Sequence, residues 1–232
     1  MERCNESTAR PNPRLLAKRA LARLAPDTLV FHGPRSAGPS TDRPRIALTF
    51  DDGPDPLTRE YLDLLDELRV RATFFVVGAL VEKRPDDLAE TVRRGHEVAG
   101  HGFRHIPFPT LRGGALSGEL LLTRDLLPPP VLKLPLVRPP RGSVSLGSVL
   151  RTRALGFTTV IWSVDSDDCR TKDPRVVEDR LAPRNVTGGD ILLLHEGQRW
   201  TLDALPVAVA RLRSAGFELV TVSELLDPRL AV

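Results

Sequence analysis

The stretch Arg45-Ile-Ala-Leu-Thr-Phe-Asp-Asp-Gly-Pro54 decides how this chain is read. Ile46–Phe50 is a short apolar run of the kind that forms a buried strand. It stops at Asp51 and Asp52, and the Gly53-Pro54 pair then turns the chain. A strand from the core therefore delivers two carboxylates to its C-terminal end. The segments that follow repeat this plan. Pro56–Leu68 carries Leu57, Tyr61, Leu64, Leu65 and Leu68 at helical spacing, and Ala72–Val77 is a β-branched and aromatic strand. Pro85–Arg94 reads as a helix stopped by Gly95. Further strands are expected at Glu97–Gly100, Leu136–Arg138, Phe157–Trp162, Asp190–Leu194 and Glu218–Val222. Helices are expected at Ser148–Leu155, Pro174–Leu181 and Leu202–Ser214. Alternating strands and helices predict an α/β fold with a largely parallel sheet.

Polar residues recur at one place in this pattern. Asp51, Asp52, His101, Arg138, Asp165 and His195 each follow the C-terminal end of an expected strand, the edge at which closed β/α barrels build active sites. His101-Gly-Phe-Arg-His105 sets two imidazoles four residues apart, a spacing that shares one face on a helical turn. Asp52 supplies a third donor. Two His and one carboxylate leave an open coordination position, as in catalytic zinc sites that activate water. A cation also favours the ionised form of a neighbouring carboxylate, which suits Asp51 to proton abstraction. His195, at the end of the apolar run Ile191–Leu194, is placed to protonate a leaving amine. His32 and His96 are read outside this constellation. No glycine pattern for nucleotide binding follows the first strand.

Together these pieces resemble the polysaccharide deacetylases of carbohydrate esterase family 4, the NodB-homology domain, over residues 45–225. Thr49-Phe-Asp-Asp-Gly-Pro54 matches that family's first motif, and His101 with His105 its second. Arg138-Pro-Pro-Arg-Gly142, Trp162-Ser-Val-Asp165-Ser-Asp-Asp168-Cys169 and Leu193-Leu-His195 are similar to the third, fourth and fifth. The resemblance implies a distorted, incomplete (β/α) barrel over 45–232, preceded by an N-terminal arm, 1–44. It implies that Asp51 is the base, that Asp52, His101 and His105 hold one divalent ion, and that His195 is the acid. Zinc is the first expectation, with cobalt, manganese and nickel as alternatives. Arg138 would hold Asp51, Asp168 would orient His195, and Asp165 would pair with Arg138. Leu193, Trp162, Pro140 and Gly142 would line the substrate pocket. Gly102, Arg141 and Cys169 stand where Ser or Thr, an aromatic and Trp are usual.

The implied reaction removes N-acetyl groups, or alternatively O-acetyl groups, from an amino-sugar glycan such as peptidoglycan or chitin-like oligomers. An amide hydrolase acting on a small substrate and an inactive carbohydrate-binding relative are the competing readings. Composition narrows the partners. The net charge is +3, with acids and bases mixed along the chain, so no nucleic-acid partner is expected. Cys4 and Cys169 form no zinc-finger or disulfide pattern. Pro13–Leu24 places Leu16, Ala17, Ala20, Leu21 and Leu24 on one side of a helix and Lys18 and Arg19 on the other. That pattern suits packing on the domain or peripheral contact with a membrane. No export signal is read at the N-terminus. A cytoplasmic or membrane-surface location is therefore expected, or the cell envelope if the true start lies upstream.

Overall fold

A computed structural model describes residues 29–35, 43–132 and 135–230. The segment Pro13–Leu24 lies outside the described residues. β2, Arg45–Gly53, is the axis of the sheet. It pairs in parallel with β8 (Ile191–His195), with β3 (Thr73–Val76) along its second half and with β9 (Glu218–Val220) along its first. The described strands form one parallel sheet in the order β1-β6-β5-β4-β3-β2-β8-β7. Here β1 is Leu29–Val30, β4 Glu97–Gly100, β5 Leu136–Val137, β6 Thr158–Val160 and β7 Val164–Asp165. The single run Thr158–Asp165 curls the sheet round. Its first residues pair with β5, and its last pair with β8. The result is a curled, incomplete β/α barrel.

A strand covered on both faces must be apolar on both, and β2 is. Its even-numbered residues Ile46, Leu48 and Phe50 pack outward, with Tyr61, Leu62 and Leu65 of the helix Thr58–Leu68 and Leu202, Leu205 and Val209 of the helix Arg199–Ser214. The odd-numbered side chains face the barrel interior. Ala47 lies there with Phe75, Ala99, Val160 and Ile191. Thr49 and Asp51 continue the same row, because side chains alternate with period two. Each CH2 so buried contributes about 0.8 kcal/mol, enough for this double-faced packing to fix the register of β2.

The structure extends the sequence reading in several places. Leu29–Val30, which falls in the expected N-terminal arm, is an edge strand of the same sheet through its pairing with Thr159 and Val160. The helices Gly78–Lys83, Ala115–Arg124 and Val222–Leu226 were not expected. The first begins directly at the end of β3. The second has a weak apolar periodicity, Leu116, Leu120 and Thr123 being buried while Leu122 is exposed. The third opens with a capping box, Thr221 and Glu224 exchanging side-chain and backbone bonds. No described helix is long and apolar enough to cross a membrane.

Candidate active site

The site grows from the C-terminal end of β2. Asp51 is buried and sits directly across from His195, its register partner on β8. Adjacent strands lie about 4.8 Å apart, so one carboxylate and one imidazole open onto the same space. Beneath Asp51 lies Arg138, fully buried just past β5. Its Nη1 donates to Asp51 Oδ1 at 2.6 Å and to Thr49 Oγ1 at 2.8 Å, and Nη2 donates to the Ile161 carbonyl at 3.3 Å. The guanidinium carbon is 3.9 Å from the centre of the Phe75 ring and 5.8 Å from that of Trp162. Burial pulls the Arg138 pKa below its usual value, and the Asp51 carboxylate opposes that shift. Breaking such a buried pair costs far more than it contributes when intact, because one charge is left uncompensated.

Asp52, the next residue, brings its carboxylate to the same side as Asp51, toward His101. Its backbone is left-handed at φ 73°, and Gly53 follows with no room for a side chain. A Cβ on Gly53 would lie 1.4 Å from Glu196 Oε2. Glu196 is itself buried and accepts from the Thr58 hydroxyl at 2.6 Å. Burial pushes its pKa up to about 8. The glycine of this turn is therefore required by packing.

Asp52 Oδ1 lies 3.4 Å from His101 Nε2 and 3.1 Å from His105 Nε2, and Asp51 Oδ2 lies 3.6 Å from His101 Nε2. The tautomer of His101 settles what these contacts are. Its Nδ1 is 2.8 Å from the Arg138 carbonyl, which can only accept, so Nδ1 carries the proton. A neutral His101 then turns a lone pair toward the carboxylates. Acceptor faces acceptor, and Asp52 Oδ1 is buried without a hydrogen-bond partner. That arrangement fits a cation and little else. Burial alone would raise the Asp52 pKa, and positive charge on the side where the two imidazoles stand holds this carboxyl well below the usual range. The donor set also suits zinc, which accepts imidazole and carboxylate ligands in a tetrahedron.

The two histidines do not share a helical turn, as their spacing predicted. Gly102 has φ 79° and His105 φ 58°, so the loop folds back to bring both imidazoles in, their ring centres 5.0 Å apart. Glu119 holds the loop in place from the helix Ala115–Arg124. Its buried carboxylate accepts from the backbone N–H of Phe103 at 2.8 Å and of Arg104 at 2.7 Å. Non-glycine residues at positive φ cost of order 1–3 kcal/mol each and persist where surroundings over-determine them. Asp52 and His105 are two such residues, and both reach the cation position.

Across the opening stands the His195 half. Asp168, fully buried, accepts from His195 Nδ1 at 2.7 Å, from the His195 backbone N–H at 2.8 Å and from Thr201 Oγ1 at 2.9 Å. Trp200 Nε1 donates to the Asp168 carbonyl at 2.7 Å. Burial would lower the His195 pKa, but the Asp168 carboxylate, with Asp51 and Asp52 behind it, raises it to about 9. Leu193 is buried on the interior row of β8. Pro140 and Gly142 are buried in the turn after Arg138, and Trp162 is half-buried beside it.

One pairing differs from expectation. Asp165 makes no ion pair with Arg138. Its Oδ1 accepts the Asp167 backbone N–H at 2.9 Å, while Arg138 pairs with Asp51 inside the barrel. Sequence reasoning missed Thr49, Glu119, Thr201 and Trp200. Thr49 carried a signal, a hydroxyl two residues before Asp51 on the same strand face. Glu119 carried none, being 14 residues beyond the loop that it holds.

Comparison with known proteins agrees with this geometry. The family model described as polysaccharide deacetylase matches residues 38–160. A peptidoglycan-N-acetylglucosamine deacetylase of Bacillus cereus is 34% identical over 187 residues, covering 78% of this chain and 87% of that protein. A chitooligosaccharide deacetylase of Sinorhizobium fredii is 39% identical over 169 residues, covering 71% of this chain and 76% of its own. The crystal structure of the Bc1960 peptidoglycan N-acetylglucosamine deacetylase superposes with a TM-score of 0.79 at 25% identity, over 88% of this chain and 95% of that one. With matching sequence, fold and donor constellation, the chain belongs to the polysaccharide deacetylase family, carbohydrate esterase family 4.

Proposed function

We propose that this protein hydrolyses the N-acetyl amide of an amino-sugar glycan, with Asp51 as base and His195 as acid. The observation that carries the reading is that these residues are register partners on neighbouring strands, with Asp52, His101 and His105 converging beside them. Those three residues would hold a divalent ion, zinc by their chemistry. Bound there, the ion supplies Lewis acidity, lowering the pKa of water and stabilising charge that develops on the amide oxygen. Asp51 takes the proton of the attacking water, held in position by Arg138. His195, a cation at neutral pH, gives its proton to the departing nitrogen. Asp168 keeps Nδ1 engaged, so Nε2 is the donating atom. Acetate and a free amino sugar leave. Peptidoglycan and N-acetylglucosamine oligomers are the substrates favoured by the relatives.

The test is acetate release from both glycans, with and without a chelator. Chelation should abolish release, and added zinc should restore it. Asp51→Asn should lower turnover by roughly 10²–10⁴-fold while keeping the metal. Undiminished release from that variant would remove Asp51 from the base role.

A further inference from the structure

The proposed chemistry leaves one buried acid unused. Glu196 directly follows His195, and burying a carboxyl is costly unless its bonds recover the loss. Among the described residues, Thr58 is the side chain that bonds it, its hydroxyl donating to Oε1 at 2.6 Å. Glu196 also holds the turn that carries Asp52. Its backbone N–H donates to the Asp51 carbonyl at 2.9 Å, and its Oε2 lies where a side chain on Gly53 would have to stand. Thr58 Oγ1 in turn accepts from the Asp55 backbone N–H at 2.8 Å. Gly197, at φ 76°, passes so near that a Cβ there would lie 3.0 Å from Asp55 Cγ. Glu196 thus grips the chain on both sides of Asp52, at Asp51 and at Gly53, from the position next to His195. The left-handed backbone of Asp52 is of the kind that persists only where its surroundings over-determine it.

We infer that Glu196 is a positioning residue that couples the two halves of the site, fixing the Asp52 carboxylate relative to the His195 imidazole. Glu119 supports the loop of the two imidazoles alone, whereas Glu196 joins the Asp52 turn to the end of β8. Its loss therefore disturbs both cation binding and the spacing between the cation position and the acid. A misplacement of about 1 Å between reacting groups can cost roughly 10²-fold in rate. This role rests on Asp52 holding the cation and His195 donating the proton, and metal affinity tests it apart from acetate release.

The experiment uses the full chain stripped of metal and titrated with cobalt or with zinc. It reads metal affinity, the visible absorption of bound cobalt, and acetate release at saturating zinc. Glu196→Ala should weaken affinity by roughly 10–100-fold, as loss of supporting contacts does elsewhere. It should also alter the cobalt band and leave the saturated rate about 10²-fold low. Glu196→Gln keeps the volume and an acceptor for Thr58, so it should restore all three readings to near wild-type values. Thr58→Val should shift them in the direction of Glu196→Ala, and the double variant should add little, because the two side chains act as one unit. Unchanged affinity and cobalt band in both Glu196→Ala and Thr58→Val overturn the role, as does full recovery of the Glu196→Ala rate at saturating zinc. A wild-type chain that binds zinc but releases no acetate, with affinity still falling in Glu196→Ala, would keep the tie to Asp52 and refute the proposed function.

Discussion

The two halves of the site are built on opposite principles. Around Asp52, His101 and His105, hydrogen-bonding capacity is left over: lone pairs face each other, and Asp52 Oδ1 has no donor. Around His195 it is used up, with Asp168 taking three donors and its carbonyl a fourth. The first half lies in loops whose backbone is held in left-handed conformations. The second hangs from a strand end and the helix Arg199–Ser214. The first is therefore incomplete without a cation, and the second is already organised to carry a proton. Catalytic groups that must bind an ion and groups that must move a proton call for these different surroundings.

The sharpest way to break this contrast is Glu119→Ala. Glu119 touches neither imidazole, yet it ties down the loop between them. Its loss should lower metal affinity by roughly 10–100-fold, as loss of supporting contacts does elsewhere. The rate at saturating metal should largely recover. If affinity is unchanged, the loop is organised by something other than Glu119.

Asp168→Asn probes the opposite half. His195 must be protonated to act, so the rate should fall as pH rises through about 9. Removing the carboxylate charge lowers the imidazole pKa, so this limb should move down by roughly 1–3 pH units. The variant should approach wild-type rates near pH 6 and fail near pH 8. An equal loss at every pH would show that Asp168 is structural only.

The smallest effect lies outside both halves and serves as a control. His96 is buried against Phe74, and burial pushes its pKa down to about 4. The folded state thus binds a proton less readily than the unfolded chain, whose value is 6.5. The stability contributed is present above the unfolded value and is lost as pH falls toward 4. Chemical denaturation should show a loss of about 2 kcal/mol between pH 7 and pH 5. His96→Gln should flatten that decline and leave metal binding as it was.

Much of this arrangement was legible along the chain. Ile46–Phe50 announced a strand, and the residues just beyond it announced carboxylates at its end. The same reasoning located His101, Arg138 and His195, because the strand period and the turn residues are local properties. The pairing of Asp165 with Arg138 failed because ion-pair choice depends on which strand end reaches the barrel interior. The helical reading of His101–His105 failed because Glu119, brought in from another helix, stabilises a left-handed loop that no local propensity favours.

What the sequence determined by itself is the order of strands and helices and the residue types at each strand end, since apolar periodicity and turn chemistry act over a few residues. What the tertiary structure decided is which of those ends meet. Asp51 faces His195 because β2 and β8 pair in one register, and Asp52 faces the two imidazoles because its own backbone is left-handed and the loop after β4 folds back toward it. Asp51 and His195 stand 144 positions apart along the chain and Asp52 stands 49 and 53 from the two imidazoles, separations that only the curling of the sheet bridges.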